Sequence, residues 1–292
     1  MASMKDVAKI ANVSISTVSR FINGTANVDP KTKEKIQNAI AEINFQPNFL
    51  AQGLKNKRSM IIGLVVPKSL SESFSDFVRH IALITESHGY ELMIRYIKDD
   101  PKIEAEVMVK LFQYQIDGII FVRVSDQSLV ANLAKEYRKP IICMMREKIE
   151  EHIPSVVLNN YRVGEIVSEL LVRFNHKKIV CVTGNLDVAV SRERLDGLID
   201  GLKRKNIFLS SENIFEGHFT YESGEDAVDY FLSKKIEFSA LWGCNDLMAI
   251  GAMNRLQQYN FTIPKNVSVV GVDNANISKM VTPALTTIAQ PI

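Results

Sequence analysis

KDVAKIANVSISTVSRFING, residues 5–24, is the stretch whose reading decides the rest of the chain. Val7, Ala8, Ile10 and Ala11 recur at helical spacing and predict a first helix with one apolar stripe. Asn12 interrupts that pattern, because its side chain competes for backbone hydrogen bonds. Ser14 is placed to cap a second helix over 15–21, in which Val18, Phe21 and Ile22 face a core. Ile15, Ser16, Thr17, Ser19 and Arg20 then crowd the other surface. A small apolar group, three hydroxyls and a guanidinium suit base edges and phosphates. The stretch therefore reads as a helix-turn-helix whose second helix enters a DNA major groove. The plain alternative is a helical hairpin that only packs.

A third helix follows, with Asp29 as N-cap, Pro30 at its first position and an apolar stripe of Ile36, Ala39, Ile40 and Ile43. It closes a three-helix DNA-binding domain over 1–46, near Phe45. Residues 47–59 form a hinge segment. In QPNFLAQGLKNKR (46–58) Asn48 can cap a short turn carrying Leu50, Ala51 and Leu54, while Gly53 weakens it. So short a helix is marginal alone in water and is expected to order only when held by DNA and a partner copy. A plain tether is the alternative.

Charge supports the DNA reading. Residues 1–58 hold nine Lys/Arg against four Asp/Glu, a balance of +5, and the remainder holds 26 against 29. Positive charge concentrated in one small unit is the footprint of a nucleic-acid binder. The three cysteines, Cys143, Cys181 and Cys244, lie far apart inside apolar runs without CxxC spacing. That argues for buried thiols rather than a disulfide framework or metal site. No signal-like segment and no membrane-length apolar run occurs, so a cytoplasmic, nucleoid-associated protein is expected.

From Met60 onward, short apolar runs alternate with helical periods. The expected strands are 60–67, 91–96, 118–124, 140–145, 155–158, 178–183, 239–243 and 267–272. The expected helices are 75–88, 103–115, 127–137, 161–174, 192–205, 222–233 and 245–258. Near-continuous Ile/Val/Leu suits strands covered on both faces. Eight such strands predict an α/β domain over 60–292 with two doubly wound parallel-sheet lobes, dividing near 159–161. Ligands of such sheets bind beyond the carboxyl ends of the strands. Lys68, Phe74, Arg123, Arg146, Ser191, Arg192, Arg194, Phe219, Asn245, Asp246, Asp273 and Asn274 fall there. Arg, Asn and Asp supply forked donors and acceptors and Phe a flat apolar face, a set able to grip a sugar. For Asn245 a simple helix cap is the competing reading.

KDVAKIANVSISTVSRFING, PNFLAQGLKNKRSMIIGLVVP, SRERLDG, CNDLMAIGAM and VSVVGVDN with TPALTTIAQP occur in one order, and together they closely resemble the LacI/GalR family of bacterial transcriptional repressors. The resemblance implies a periplasmic-binding-protein-like effector domain and a homodimer or tetramer on a pseudo-palindromic operator. It implies that Ile15, Ser16 and Arg20 read bases, and that Thr17, Ser19, Asn23, Asn27 and Thr32 hold phosphates or fix docking. Asn48 belongs with the DNA-side residues, and Leu54 matches the hinge leucine wedged into the minor groove. The effector site maps onto Phe74, Arg146, Arg194, Phe219, Asn245 and Asp273. Arg194 and Asp273 would grip hydroxyls, and Phe74 or Phe219 would stack on a ring. Three departures stand out. SESF at 71–74 replaces a frequent NPFF, Asn274 replaces a frequent second acid, and the chain stops at Ile292 where members usually continue, which reads as truncation.

The expectation is thus a repressor of a carbohydrate-utilisation operon, controlled by a sugar or sugar phosphate that binds its two states unequally. A global regulator controlled by a phosphocarrier protein is the alternative within regulation. An enzyme on this fold is opposed by the lack of GxGxxG and GxxxxGK[ST] after a strand, so no cofactor and no catalytic residues are expected. A sugar-transport receptor is opposed by the basic N-terminal unit.

Overall fold

The computed structural model describes residues 2–23, 28–45, 58–67, 74–98, 100–122, 127–144 and 153–291, with the side chains of Asn23, Phe74, Ser75, Asp76 and Gln127 outside that description. The chain divides into two compact units, Met1–Met60 and Ile61–Ile292.

Three helices build the first unit: α1 (Met4–Ile10), α2 (Ile15–Asn23) and α3 (Pro30–Glu42). Asn12 ends α1 in the left-handed region at φ 51°, a conformation Asn tolerates better than most residues. The Ser14 hydroxyl accepts from the Thr17 amide at 3.1 Å, and Asp29 accepts from Thr32 at 3.0 Å with Pro30 at the first position of α3. Val7, Ala8, Ala11, Val18, Ile36, Ala39 and Phe45 form the core. Ile10 corrects the expected stripe, being 41% exposed. At about 100° per residue it lies roughly 110° from the centre of the Val7–Ala8–Ala11 face.

The second unit begins with β1 (Ile61–Pro67), α4 (Phe74–Ser87), β2 (Glu91–Ile97), α5 (Pro101–Gln113), β3 (Gly118–Phe121), α6 (Gln127–Tyr137), β4 (Ile141–Met144) and β5 (Ser155–Val156). These strands form one parallel sheet in the order β2-β1-β3-β4-β5. The chain then passes to α7 (Asn160–Arg173), β6 (Ile179–Thr183), α8 (Ala189–Lys203), β7 (Ile214–Glu216), α9 (Tyr221–Ser233), β8 (Ala240–Gly243), α10 (Asp246–Gln258), β9 (Ser268–Asp273) and β10 (Thr286–Ala289). The second sheet, also parallel, runs β10-β9-β8-β6-β7. The expected α/β architecture is present, with ten strands rather than eight among the described residues. The two additions, β7 and β10, are short edge strands. Every residue of β6 and β8 is buried, as strands covered on both faces require.

Two helix pairs clamp the second sheet. A Cβ on Gly164 of α7 would lie 2.0 Å from the Arg194 carbonyl of α8, and one on Gly197 would lie 2.0 Å from the Tyr161 carbonyl. A Cβ on Gly224 of α9 would lie 2.0 Å from the Met248 carbonyl of α10, and one on Gly251 would lie 2.0 Å from the Tyr221 carbonyl. Only glycine permits backbones to approach so closely. Among the described residues no helix is long and apolar enough to cross a membrane.

Candidate DNA-reading face and effector site

The exposed face of α2 is set by its own first turn. Ser14 Oγ lies 2.7 Å from Ser16 Oγ and 2.8 Å from Thr17 Oγ1, a hydroxyl cluster that also caps the helix. Ile15 is 45% exposed, Ser16 and Arg20 are exposed, and Thr17 and Ser19 are half-buried; Val18, between them, is fully buried. Thr17, Arg20 and Thr32 meet in one open depression with Val13, Ser14, Val28 and Asp29. The Thr32 side chain and amide hold the Asp29 carboxyl below its ordinary range, so an acid on this cationic face is engaged as a cap. Asn27, Asn48 and Leu54, and the side chain of Asn23, lie outside the described residues.

The effector candidates of the second sheet gather where its strands end. Arg194, on the second turn of α8, is 4% exposed. Its Nε donates to Asn160 Oδ1 at 3.1 Å and its Nη1 to the Cys244 carbonyl at 2.6 Å. Nη1 also lies 3.8 Å from Asp273 Oδ1, at the end of β9. Gln290 donates its amide to the same Asp273 oxygen. Arg194 Nη2 and Asp273 Oδ2 take part in none of these contacts. One charged donor and one charged acceptor thus stand uncommitted. Burial pushes the Asp273 carboxyl up to about 6, although the Arg194 guanidinium and the Gln290 amide pull it down. Asp273 adopts φ 121° and Asn274 φ 55°, conformations that L residues rarely hold and that surrounding structure must enforce.

Phe219 follows β7 with φ 63°, and its ring lies over Gly184, where a Cβ would come within 2.1 Å of the ring edge. Asn245 caps α10 through the Met248 amide at 2.9 Å and donates to the Phe219 carbonyl at 3.0 Å. Both its side-chain heteroatoms are engaged, and it ties the Phe219 backbone to α10. Ser191, one turn before Arg194 on α8, is fully buried, and its hydroxyl has no partner among the described residues. Burial raises the thiol of Cys143 to about 12 and raises those of Cys181 and Cys244 as well, so all three are inert. Lys68, Arg123 and Arg146, and the side chain of Phe74, lie outside the described residues.

Sequence reasoning missed three contributors. Asn160 orients Arg194; the doubled asparagine before a helix, LNNYR, was its one local signal. Gln290 and Thr287 reach the site from β10 and beyond, with no local signal. Asp246, legible as a strand-end acid, makes its contacts with residues 29 and 41 positions away.

Comparison with known proteins matches residues 3–48 to the family described as "Bacterial regulatory proteins, lacI family" and residues 59–291 to "Periplasmic binding proteins and sugar binding domain of LacI family". The chain is 32% identical to the HTH-type transcriptional repressor PurR of Aliivibrio salmonicida over 293 residues, covering 100% of this chain and 88% of that protein. It is 30% identical to the ribose operon repressor of Haemophilus influenzae over 291 residues, covering 100% of this chain and 87% of that protein. The crystal structure of the lac repressor dimer bound to operator and the anti-inducer ONPF superposes with a TM-score of 0.87 at 27% identity, covering 99% of this chain and 88% of that one.

Proposed function

The chain belongs to the LacI family of bacterial regulatory proteins, and we propose that it acts as a homodimeric repressor of a carbohydrate-utilisation operon, released from or fixed on its operator by a sugar or sugar phosphate. In this reading Ile15, Ser16 and Arg20 contact bases, and Thr17, Ser19 and Thr32 hold the backbone beside them. Asn23, Asn27, Asn48 and Leu54 complete the DNA side, Leu54 as a minor-groove wedge. Arg194 donates to, and Asp273 accepts from, ring hydroxyls, with Phe219 against the apolar ring face. Asn245 acts by fixing Phe219, and Phe74 and Arg146 complete the proposed effector set. No catalysis is involved, and the protein works on chromosomal DNA in the cytoplasm.

The observation that carries the effector reading is the pair of uncommitted charged atoms, Arg194 Nη2 and Asp273 Oδ2. A hydroxyl both donates and accepts, so adjacent hydroxyls on one ring satisfy both atoms. A ligand that prefers one state shifts the DNA-competent population by its differential affinity. The test begins by selecting operators from a random duplex pool. Arg20→Ala should then weaken binding to the selected duplex by about 1–3 kcal/mol while leaving non-specific binding nearly intact. Unchanged affinity removes Arg20 from the reading face.

A further inference from the structure

We infer that Asp246 is a positioning residue of the effector site, whose carboxylate knots α10, the 273–275 turn and β10 together and so fixes where Asp273 points. This rests on the reading of Asp273 as an effector ligand given above. Asp246 is fully buried at the first position of α10. Its Oδ2 accepts from the Ala275 amide at 2.8 Å, and its Oδ1 accepts from the Thr287 hydroxyl at 2.5 Å. Thr287 Oγ1 in turn accepts from the Asn274 amide at 3.1 Å. Three chain segments are thereby held through one planar group. The held amides, of Asn274 and Ala275, directly follow Asp273, and Asp273 and Asn274 are both non-glycine residues with positive φ. Room for the carboxylate exists only because residue 271 is glycine: a Cβ there would lie 2.4 Å from Asp246 Oδ1.

Chemistry explains why a carboxylate stands here. Both of its oxygens accept, whereas an amide would present one donor to a pair of donors. Simple helix capping does not require it, since Asn245 already caps α10. Nor does stability favour an ionised group in this place. Burial pushes its carboxyl up to about 6, against the pull of Thr287 and the Ala275 and Asn274 amides, and the neighbouring Asp273 charge adds to the rise. The charged and titratable groups around the knot are Asp273 from β9, Arg194 from α8, which faces Asp273, and the Cys244 thiol, which faces both. A buried charge kept at such a cost fits a role in holding a functional conformation.

The test uses the full chain with residue-specific NMR. Asp246→Ala should speed hydrogen exchange of the Ala275 amide by about tenfold or more, the loss expected when one such bond opens locally. Thr287→Val should do the same at Asn274, and Thr287→Ser should restore protection. Asp246→Asn should lower the titration midpoint of Asp273, because a like charge is removed. D-ribose and D-ribose 5-phosphate serve as binding probes, and whichever binds the wild type should bind Asp246→Ala about tenfold or more weakly. Unchanged exchange at 274–275 together with an unmoved Asp273 midpoint overturns the inference, whatever the sugars do. If neither probe binds the wild type, the sugar reading of the site fails, and the exchange and titration results still decide the role of Asp246.

Discussion

The two helix pairs against the second sheet are built alike and loaded differently. In α7–α8 and in α9–α10 a tyrosine carbonyl of the first helix presses on a glycine of the second (Tyr161 on Gly197, Tyr221 on Gly251). A carbonyl of the second presses back on a glycine three residues after that tyrosine (Arg194 on Gly164, Met248 on Gly224). The helix starts are where they diverge. α10 is closed by Asn245, and Asp246 is fully committed beside it. Val188 precedes α8 without a side-chain cap, the Ser191 hydroxyl has no partner among the described residues, and the second turn ends at Arg194. One packing device thus carries a sealed start in α10 and, in α8, the open start that the proposed effector would meet.

The largest effect should come from the device itself. Gly164→Ala and Gly224→Ala each drive a Cβ into a backbone carbonyl that cannot step aside, and each should lose about 3 kcal/mol in urea unfolding. The emission of Trp242, the one tryptophan and fully buried in β8, reports this directly. A large disparity between the two variants would end the equivalence of the pairs. Next, Arg194→Ala should remove about 2 kcal/mol of effector affinity, and with it the response, while operator binding persists. A surviving response would move the site elsewhere.

Proton linkage offers a third discrimination. A carboxyl raised from 3.8 to about 6 holds its proton more tightly in the folded chain. The stability it adds is full below its unfolded value and is lost as pH rises through about 6. Asp273→Asn lacks that loss, so it should gain about 1–2 kcal/mol relative to wild type between pH 4 and pH 7, measured by parallel melts. A parallel pair of profiles would show that burial does not perturb Asp273. The smallest test exchanges the helix starts: Asn245→Ala should cost about 1 kcal/mol, and Val188→Asn should add a few tenths. Equal and negligible changes would erase the distinction between sealed and open.

Much of this was legible in the sequence because the signals are local. Ser14, Asp29 and Pro30 announce helix starts within three residues of what they cap, and the Ile/Val runs of β1, β6 and β9 are too continuous for anything but buried strands. What was missed is non-local or lacks contrast. β7 and β10 are three and four residues long and sit at sheet edges, so no apolar run marks them. The sequence places the start of α8 three residues late, because Val188 gives no capping signal. Arg194, Asp246 and Asp273 were legible as strand-end polar residues, but the partners of Asp246 and the parts played by Asn160 and Thr287 lie 29 to 41 positions away.

The ring of Phe219 rests on the bare backbone of Gly184, so its tilt is set by an atom that residue 184 does not have. A single methyl group there would lift the aromatic plane without touching any polar contact. With Phe219 against the effector ring as proposed, position 184 sets how thick a ring fits beneath it.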